Sequence, residues 1–192
     1  MTQVIFTGFM ASGKSAVGRR LARRLGRPFI DLDQQIEKRE GRSIAAIFDS
    51  DGEAAFREME RVAVDALAGE PESVIATGGG TFVDPVNRGR LRELGVVVYL
   101  ATGLETIIER VSRNDKRPLA SGEGAEQKIR DLWQQRLPVY GKADIMIETE
   151  GLTVDQSAAR VLRMVAPWLK VESLARKRAG TGDGSEPERD AK

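Results

Sequence analysis

The sequence predicts one α/β domain, a five-stranded parallel sheet with helices on both faces. Three observations predict it. Five short extended runs, at 4–7, 29–33, 74–77, 96–100 and 144–148, alternate with stretches whose apolar residues recur every three or four positions. The connections are short, and right-handed crossovers then return each strand parallel to the one before. The first run leads straight into Gly8-Phe9-Met10-Ala11-Ser12-Gly13-Lys14-Ser15, the G-x-x-x-x-G-K-S spacing that joins a strand to a helix around a phosphate.

That loop organises the rest. Its glycines let the backbone wrap an anion, and the free amides and dipole at the helix start favour negative charge. Lys14 should reach the β- and γ-phosphates, and the Ser15 hydroxyl should ligate Mg²⁺. The helix at 14–25 carries Val17, Leu21 and Leu25 on one stripe and stops at Gly26 and Pro28. Its arginines, Arg19, Arg20, Arg23 and Arg24, read as a solvated face rather than a nucleic-acid patch.

The second strand ends in Asp31-Leu32-Asp33, which puts both carboxylates on one side of an extended backbone. Parallel to the first strand, it would deliver them to the sheet edge that holds the phosphate loop, facing a Mg²⁺-nucleotide. Helix capping by Asp33 is the alternative. Gly41 interrupts a short helix, Ser43 restarts one, and Asp51-Gly52-Glu53 opens a longer one. There Glu60, three residues after Arg57, can hold the guanidinium in an orientation suited to a substrate carboxylate.

The third strand runs into Gly78-Gly79-Gly80, which allows close backbone approach to a ligand at the same edge. Asp84-Pro85 starts a helix that Gly95 ends. After the fourth strand, Thr102 and Glu105 have capping-box spacing. The polar stretch at 113–124 is long for a connection and reads as a lid whose Arg117 could close over the γ-phosphate. Helices at 125–137 and 153–168 flank the fifth strand. From Glu172 the chain loses its apolar residues and reads as a disordered tail, which leaves 1–171 as the domain.

With 30 Lys+Arg against 29 Asp+Glu, the net charge of +1 gives no pull toward nucleic acid or membrane, and neither is expected as a partner. No apolar run approaches membrane-spanning length and no signal-peptide pattern precedes the first strand. The absence of cysteine removes disulfide and thiol chemistry and fits a cytoplasmic setting. The absence of histidine excludes Ser-His-Asp and Cys-His sites, so a general base must be a carboxylate, a lysine, a tyrosine or the substrate's own phosphate.

Taken together, Gly8-Phe9-Met10 through Ser15, Phe29 to Asp33, Gly52-Glu53, Phe56-Arg57, Thr77 to Gly80, Arg117-Pro118-Leu119 and Arg136-x-Pro138-x-Tyr140 run collinearly along the chain. In this the sequence resembles the shikimate kinase family, within the nucleoside-monophosphate-kinase-like P-loop proteins. The resemblance implies a P-loop kinase-like three-layer sandwich. It also implies an ATP-dependent, Mg²⁺-dependent phosphorylation of the shikimate 3-hydroxyl, on the way to chorismate and the aromatic amino acids. ATP would be held by Ala11, Ser12, Gly13, Lys14, Ser15, Ala16, Arg110 and Arg117. Shikimate would be held by Asp33, Arg57, Gly78, Gly79, Gly80 and Arg136, with the two arginines on its carboxylate and Asp33 on its hydroxyls. Lys14, Asp33 and Arg117 would be the catalytic groups, and Mg²⁺ would take Ser15 and, through water, Asp31. A monomer is expected. Ala11 stands where the family often has glycine, which ordinary dihedrals would tolerate, and residues 150–153 carry no clear adenine-binding signature. Other readings are a gluconate- or nucleotide-directed kinase and a non-catalytic binding module. A neutral sugar would not need both arginines, though a nucleoside monophosphate could use them.

Overall fold

The computed structural model describes residues 2–113 and 124–179. Arg117 and nearly all of the expected lid lie outside the described residues. The order of elements is β1 (Gln3–Thr7), α1 (Lys14–Leu25), β2 (Phe29–Asp31), α2 (Leu32–Glu40), α3 (Ile44–Ala66), β3 (Val74–Ala76), α4 (Pro85–Leu94), β4 (Gly95–Ala101), α5 (Leu104–Ser112), α6 (Ala125–Tyr140), β5 (Ile145–Glu148) and α7 (Val154–Ala179). The sheet is all parallel, in the order β2-β3-β1-β4-β5.

Period-two alternation divides the core into two layers. On β1, Val4 and Phe6 face α1 and α7, together with Val96, Val98 and Leu100 of β4. Ile5, Val97 and Tyr99 face the other way, onto α3, α4 and α5. The central strands are therefore apolar on both faces, which is why they read as continuous apolar runs. Gly18 lets α1 lie close to the sheet, because a side chain there would meet the Phe29 ring at 2.6 Å. Arg20 and Arg24 of α1 bond Asp155 of α7, the latter at 3.0 Å, and Arg19 lies 4.7 Å over Phe29. The arginine face thus has structural partners, in keeping with its reading as a solvated face.

The chain crosses from β1 to the far side of β3, returns, and only then builds β4 on the other flank of β1. The loop after β1 therefore opens at the point where the winding reverses, where ligands bind in open α/β sheets.

Several boundaries differ from expectation. The second strand ends at Asp31, and Asp33 lies in the first turn of α2. Asp31 caps that helix by accepting from the Gln34 amide, so the cap is Asp31 and not Asp33. The Thr102–Glu105 capping box does not form. α5 is capped at Gly103 without a side-chain cap of that kind, because the Thr102 hydroxyl turns inward to Thr149 Oγ1, 2.7 Å away. α6 continues to Tyr140 with Pro138 inside its last turns. The last helix runs past Trp168 to Ala179, so the expected tail begins as helix: residues 170–179 contain neither glycine nor proline and are rich in good helix formers. α3 bends where the sequence expects a new helix, at Gly52 with φ 80. No helix among the described residues is long and apolar enough to cross a membrane.

Candidate active site

The loop after β1 and the C-terminal ends of β2 and β3 surround one cleft of about 1150 Å³. Its walls include Ala11, Gly13, Lys14, Ser15, Ala16, Asp31, Asp33, Arg57, Gly78, Gly79, Gly80 and Arg136, so most of the residues expected at a nucleotide and an acid substrate meet in one space.

On the loop side, Lys14 is buried. Its ammonium donates to the Gly8 carbonyl at 2.9 Å and the Phe9 carbonyl at 2.8 Å. The cation is thus held inside the curve of the loop, where a phosphate would sit. Gly8 and Gly13 have φ 142 and 93, conformations that favour glycine. Ala11 shares that region at φ 57, so its dihedrals are not the ordinary ones that would make alanine free of cost here. A left-handed alanine costs about 1 kcal/mol. Ser12 is buried and does not line the cleft. Among the described residues its hydroxyl has no hydrogen-bond partner, and its carbonyl accepts from Thr102 Oγ1 at 3.3 Å. Arg110 does not line the cleft but reaches the loop from α5, donating to the Ala11 carbonyl at 3.1 Å.

The Ser15 hydroxyl donates to Asp31 Oδ2 at 2.6 Å. A hard cation takes such oxygen pairs, and Mg²⁺ in particular is held by one or two protein oxygens with water and substrate phosphate completing its shell. The pair fits Mg²⁺ of that kind. It does not amount to an all-protein metal cage, and among the described residues no group of three or more Asp, Glu, His or Cys could hold a metal.

On the far side, the triple glycine lies against four charged side chains. A β-carbon on Gly78 would come 2.6 Å from Asp33 Oδ1 and 3.0 Å from Glu60 Oε1. One on Gly79 would meet an Arg136 nitrogen at 3.4 Å, and one on Gly80 would come 2.9 Å from Arg57 Cζ and Nη2. At Gly78 and Gly80 glycine is needed for space, since neither has a positive φ, whereas a β-carbon on Gly79 would make only ordinary contact. The loop is pinned from behind by Tyr140, whose hydroxyl donates to the Gly79 carbonyl at 2.5 Å and whose ring stacks on Tyr99. Burial pushes the Tyr140 hydroxyl pKa up to about 12, against the opposing pull of Arg136.

Arg57 is held from two sides. Nη1 donates to Glu60 Oε2 at 2.6 Å, while Nε and Nη2 donate to Glu53 Oε1 at 3.2 and 2.8 Å. Burial would lower the Arg57 pKa, and bonding to Glu60 and Glu53 more than reverses that. Glu60 is 1% exposed and also accepts from Thr81 Oγ1 at 2.5 Å, so its position is fixed before any ligand arrives. The spacing of Arg57 and Glu60 signalled that pair. Glu53 belongs to the collinear motifs, and its place four residues before Arg57 is the spacing behind this second bond. Phe48 and Phe56, the latter beside Arg57 in the collinear motifs, form an apolar wall with ring centroids 4.8 Å apart.

Comparison with known proteins gives a consistent answer. The family model for shikimate kinase matches residues 10–166. The chain is 44% identical over 173 residues to the shikimate kinase of Thermus thermophilus, covering 90% of this chain and 93% of that one. It is 39% identical over 163 residues to the shikimate kinase of Thermodesulfovibrio yellowstonii, covering 85% and 94%. Among solved structures, shikimate kinase from Acinetobacter baumannii in complex with shikimate superposes with a TM-score of 0.83 at 39% identity, covering 87% of this chain and 94% of that one.

Proposed function

This chain belongs to the shikimate kinase family, and we propose how its residues divide that family's work. The chain is a kinase that transfers the γ-phosphoryl group of ATP to the 3-hydroxyl of shikimate, a step of aromatic amino-acid biosynthesis. The observation that carries the assignment of residues is the single cleft, which joins a phosphate loop to a carboxylate, Asp33, and two arginines, Arg57 and Arg136.

In this reading Arg57 and Arg136 grip the shikimate carboxylate. Glu60 and Glu53 keep the Arg57 fork in place before the substrate arrives, so little ordering is left for binding. Gly78, Gly79 and Gly80 give the sugar-like ring close access to the backbone. Asp33 accepts the hydrogen bond of the reacting hydroxyl and aims its oxygen along the line of transfer. Phosphoryl transfer needs little covalent help beyond positioning and neutralisation of charge, so an aimed hydroxyl suffices. The amides of residues 11–16 cradle the phosphates, Lys14 leaves the Gly8 and Phe9 carbonyls for the transferring group, and Arg110 and Arg117 complete the nucleotide site. Ser15 and, through water, Asp31 would hold Mg²⁺, which would supply charge neutralisation on the phosphates. The enzyme acts as a cytoplasmic monomer on these two small molecules, without nucleic acid or membrane. Its domain is 1–171, with a lid at about 113–124 and a C-terminal tail from 172 whose first residues continue α7.

Binding separates the roles. Arg57→Ala and Arg136→Ala should each weaken shikimate by about 10- to 100-fold while ATP affinity stays within about two-fold, the size expected for one charge-assisted bond. Unchanged shikimate affinity in either variant would remove that arginine from the carboxylate site.

A further inference from the structure

The loop after β5 is built into the nucleotide end of the molecule through one acidic side chain. The N-terminus of α5 has amides that need an acceptor, and the nearest local candidate, Thr102, is spent on Thr149 and Ser12. Glu150 supplies the acceptor from the loop after β5. Its Oε2 accepts from the Gly103 amide at 3.0 Å, and its Oε1 accepts from the Thr106 hydroxyl at 2.6 Å. A side chain at Gly103 would lie 2.9 Å from that carboxylate, so the glycine keeps the space for it. These two bonds, with help from the Arg110 charge, hold the Glu150 carboxyl below the usual range. One turn beyond Thr106, Arg110 crosses to the Ala11 carbonyl of the phosphate loop at 3.1 Å. α5 is therefore tied at its first turn to the loop at 149–153 and, one turn later, to the phosphate loop.

We propose that Glu150 is a positioning residue for the nucleotide: it latches the loop after β5 to α5 and so fixes where Arg110 stands over the phosphate loop. Glu150 does not line the cleft and touches no reacting group. Its effect passes through α5. The proposal rests on the reading of Arg110 as a nucleotide contact. It also explains how residues 150–153 can serve the nucleotide side without a recognisable binding signature: the acidic residue holds the helix rather than the base.

The test is a double-mutant cycle. ATP is titrated at saturating shikimate, and shikimate at saturating ATP, for the wild type, Glu150→Ala, Glu150→Gln, Arg110→Ala and the double Arg110→Ala/Glu150→Ala. Loss of two hydrogen bonds to a carboxylate should raise the ATP KM about five-fold in Glu150→Ala, and less in Glu150→Gln, which keeps one acceptor, with the shikimate KM unchanged. In the Arg110→Ala background the same substitution should have no further effect. An unmoved ATP KM in Glu150→Ala beside a normal response to Arg110→Ala overturns the proposal alone, as does an additive double mutant or a parallel rise in both KM values. A wild-type ATP KM in Arg110→Ala overturns the reading of Arg110 and the proposal with it.

Discussion

Gly80→Ala is a small change with a large expected consequence. Gly80 has no positive φ, so alanine is conformationally permitted, and the effect must come from its methyl group. That methyl would lie 2.9 Å from Arg57 Cζ and Nη2, where ordinary contact begins at 3.4 Å. The guanidinium must therefore withdraw by 3.4 − 2.9 = 0.5 Å at Cζ, and further at Nη1, which lies nearer still. A free arginine would swing aside at little cost. This one is held at Nη1 by buried Glu60 at 2.6 Å and along its other edge by Glu53, so withdrawal stretches bonds at both. Losing one charge-assisted bond costs about 1.5–3 kcal/mol, or roughly 10- to 150-fold in affinity if the loss falls on the substrate fork. Isothermal titration with shikimate should show that weakening, with ADP affinity unchanged and thermal unfolding lowered by only a few degrees, on the order of 2–4 °C per kcal/mol. Unaltered shikimate affinity in a folded Gly80→Ala protein would refute the claim that Arg57 is set against Gly80 to receive the carboxylate.

Asp33→Asn should cut kcat by about 10²-fold or more while leaving the ATP KM within about two-fold, because the group meets the acceptor hydroxyl and not the nucleotide. A common fall in turnover and ATP binding would deny Asp33 that place. Tyr140 should make the protein sensitive to alkali. Its folded pKa is raised to about 12, above the ordinary value near 10, so its contribution is intact below about pH 10 and is lost as pH rises through the folded value. The loss amounts to about 2–3 kcal/mol between pH 10 and 12, and in Tyr140→Phe the fall of denaturant midpoint over that window should be shallower. An equal slope in both proteins would contradict the assignment.

Much of this arrangement is legible from residue spacing, because the phosphate loop and the strand ends obey local rules. G-x-x-x-x-G-K-S between an apolar run and a helix fixes the ligand edge, and the parallel fold then brings Ser15 to Asp31. The three-residue spacing of Arg57 and Glu60 anticipates their bond on α3. What the spacing does not reveal depends on competition between distant partners. Thr102 has the pattern of a helix cap, yet Thr149 and Ser12 take its hydroxyl and Glu150 caps the helix instead. Asp31 has the pattern of a strand residue but ends the strand by capping α2. The left-handed Ala11 is imposed by the curve of the loop, which no local preference of alanine would suggest. Glu53 stands in the collinear motifs without a role until the fold shows it closing the edge of the Arg57 fork.

The central claim is that ATP is spent on shikimate in this cleft. ADP release from ATP and Mg²⁺ measures it most directly, with shikimate, gluconate and AMP offered in turn. Release should be driven by shikimate alone and lost with Lys14→Ala. Release driven by gluconate or AMP instead would contradict the assignment of Asp33, Arg57 and Arg136, and tight ATP binding with no release for any acceptor would contradict the kinase itself.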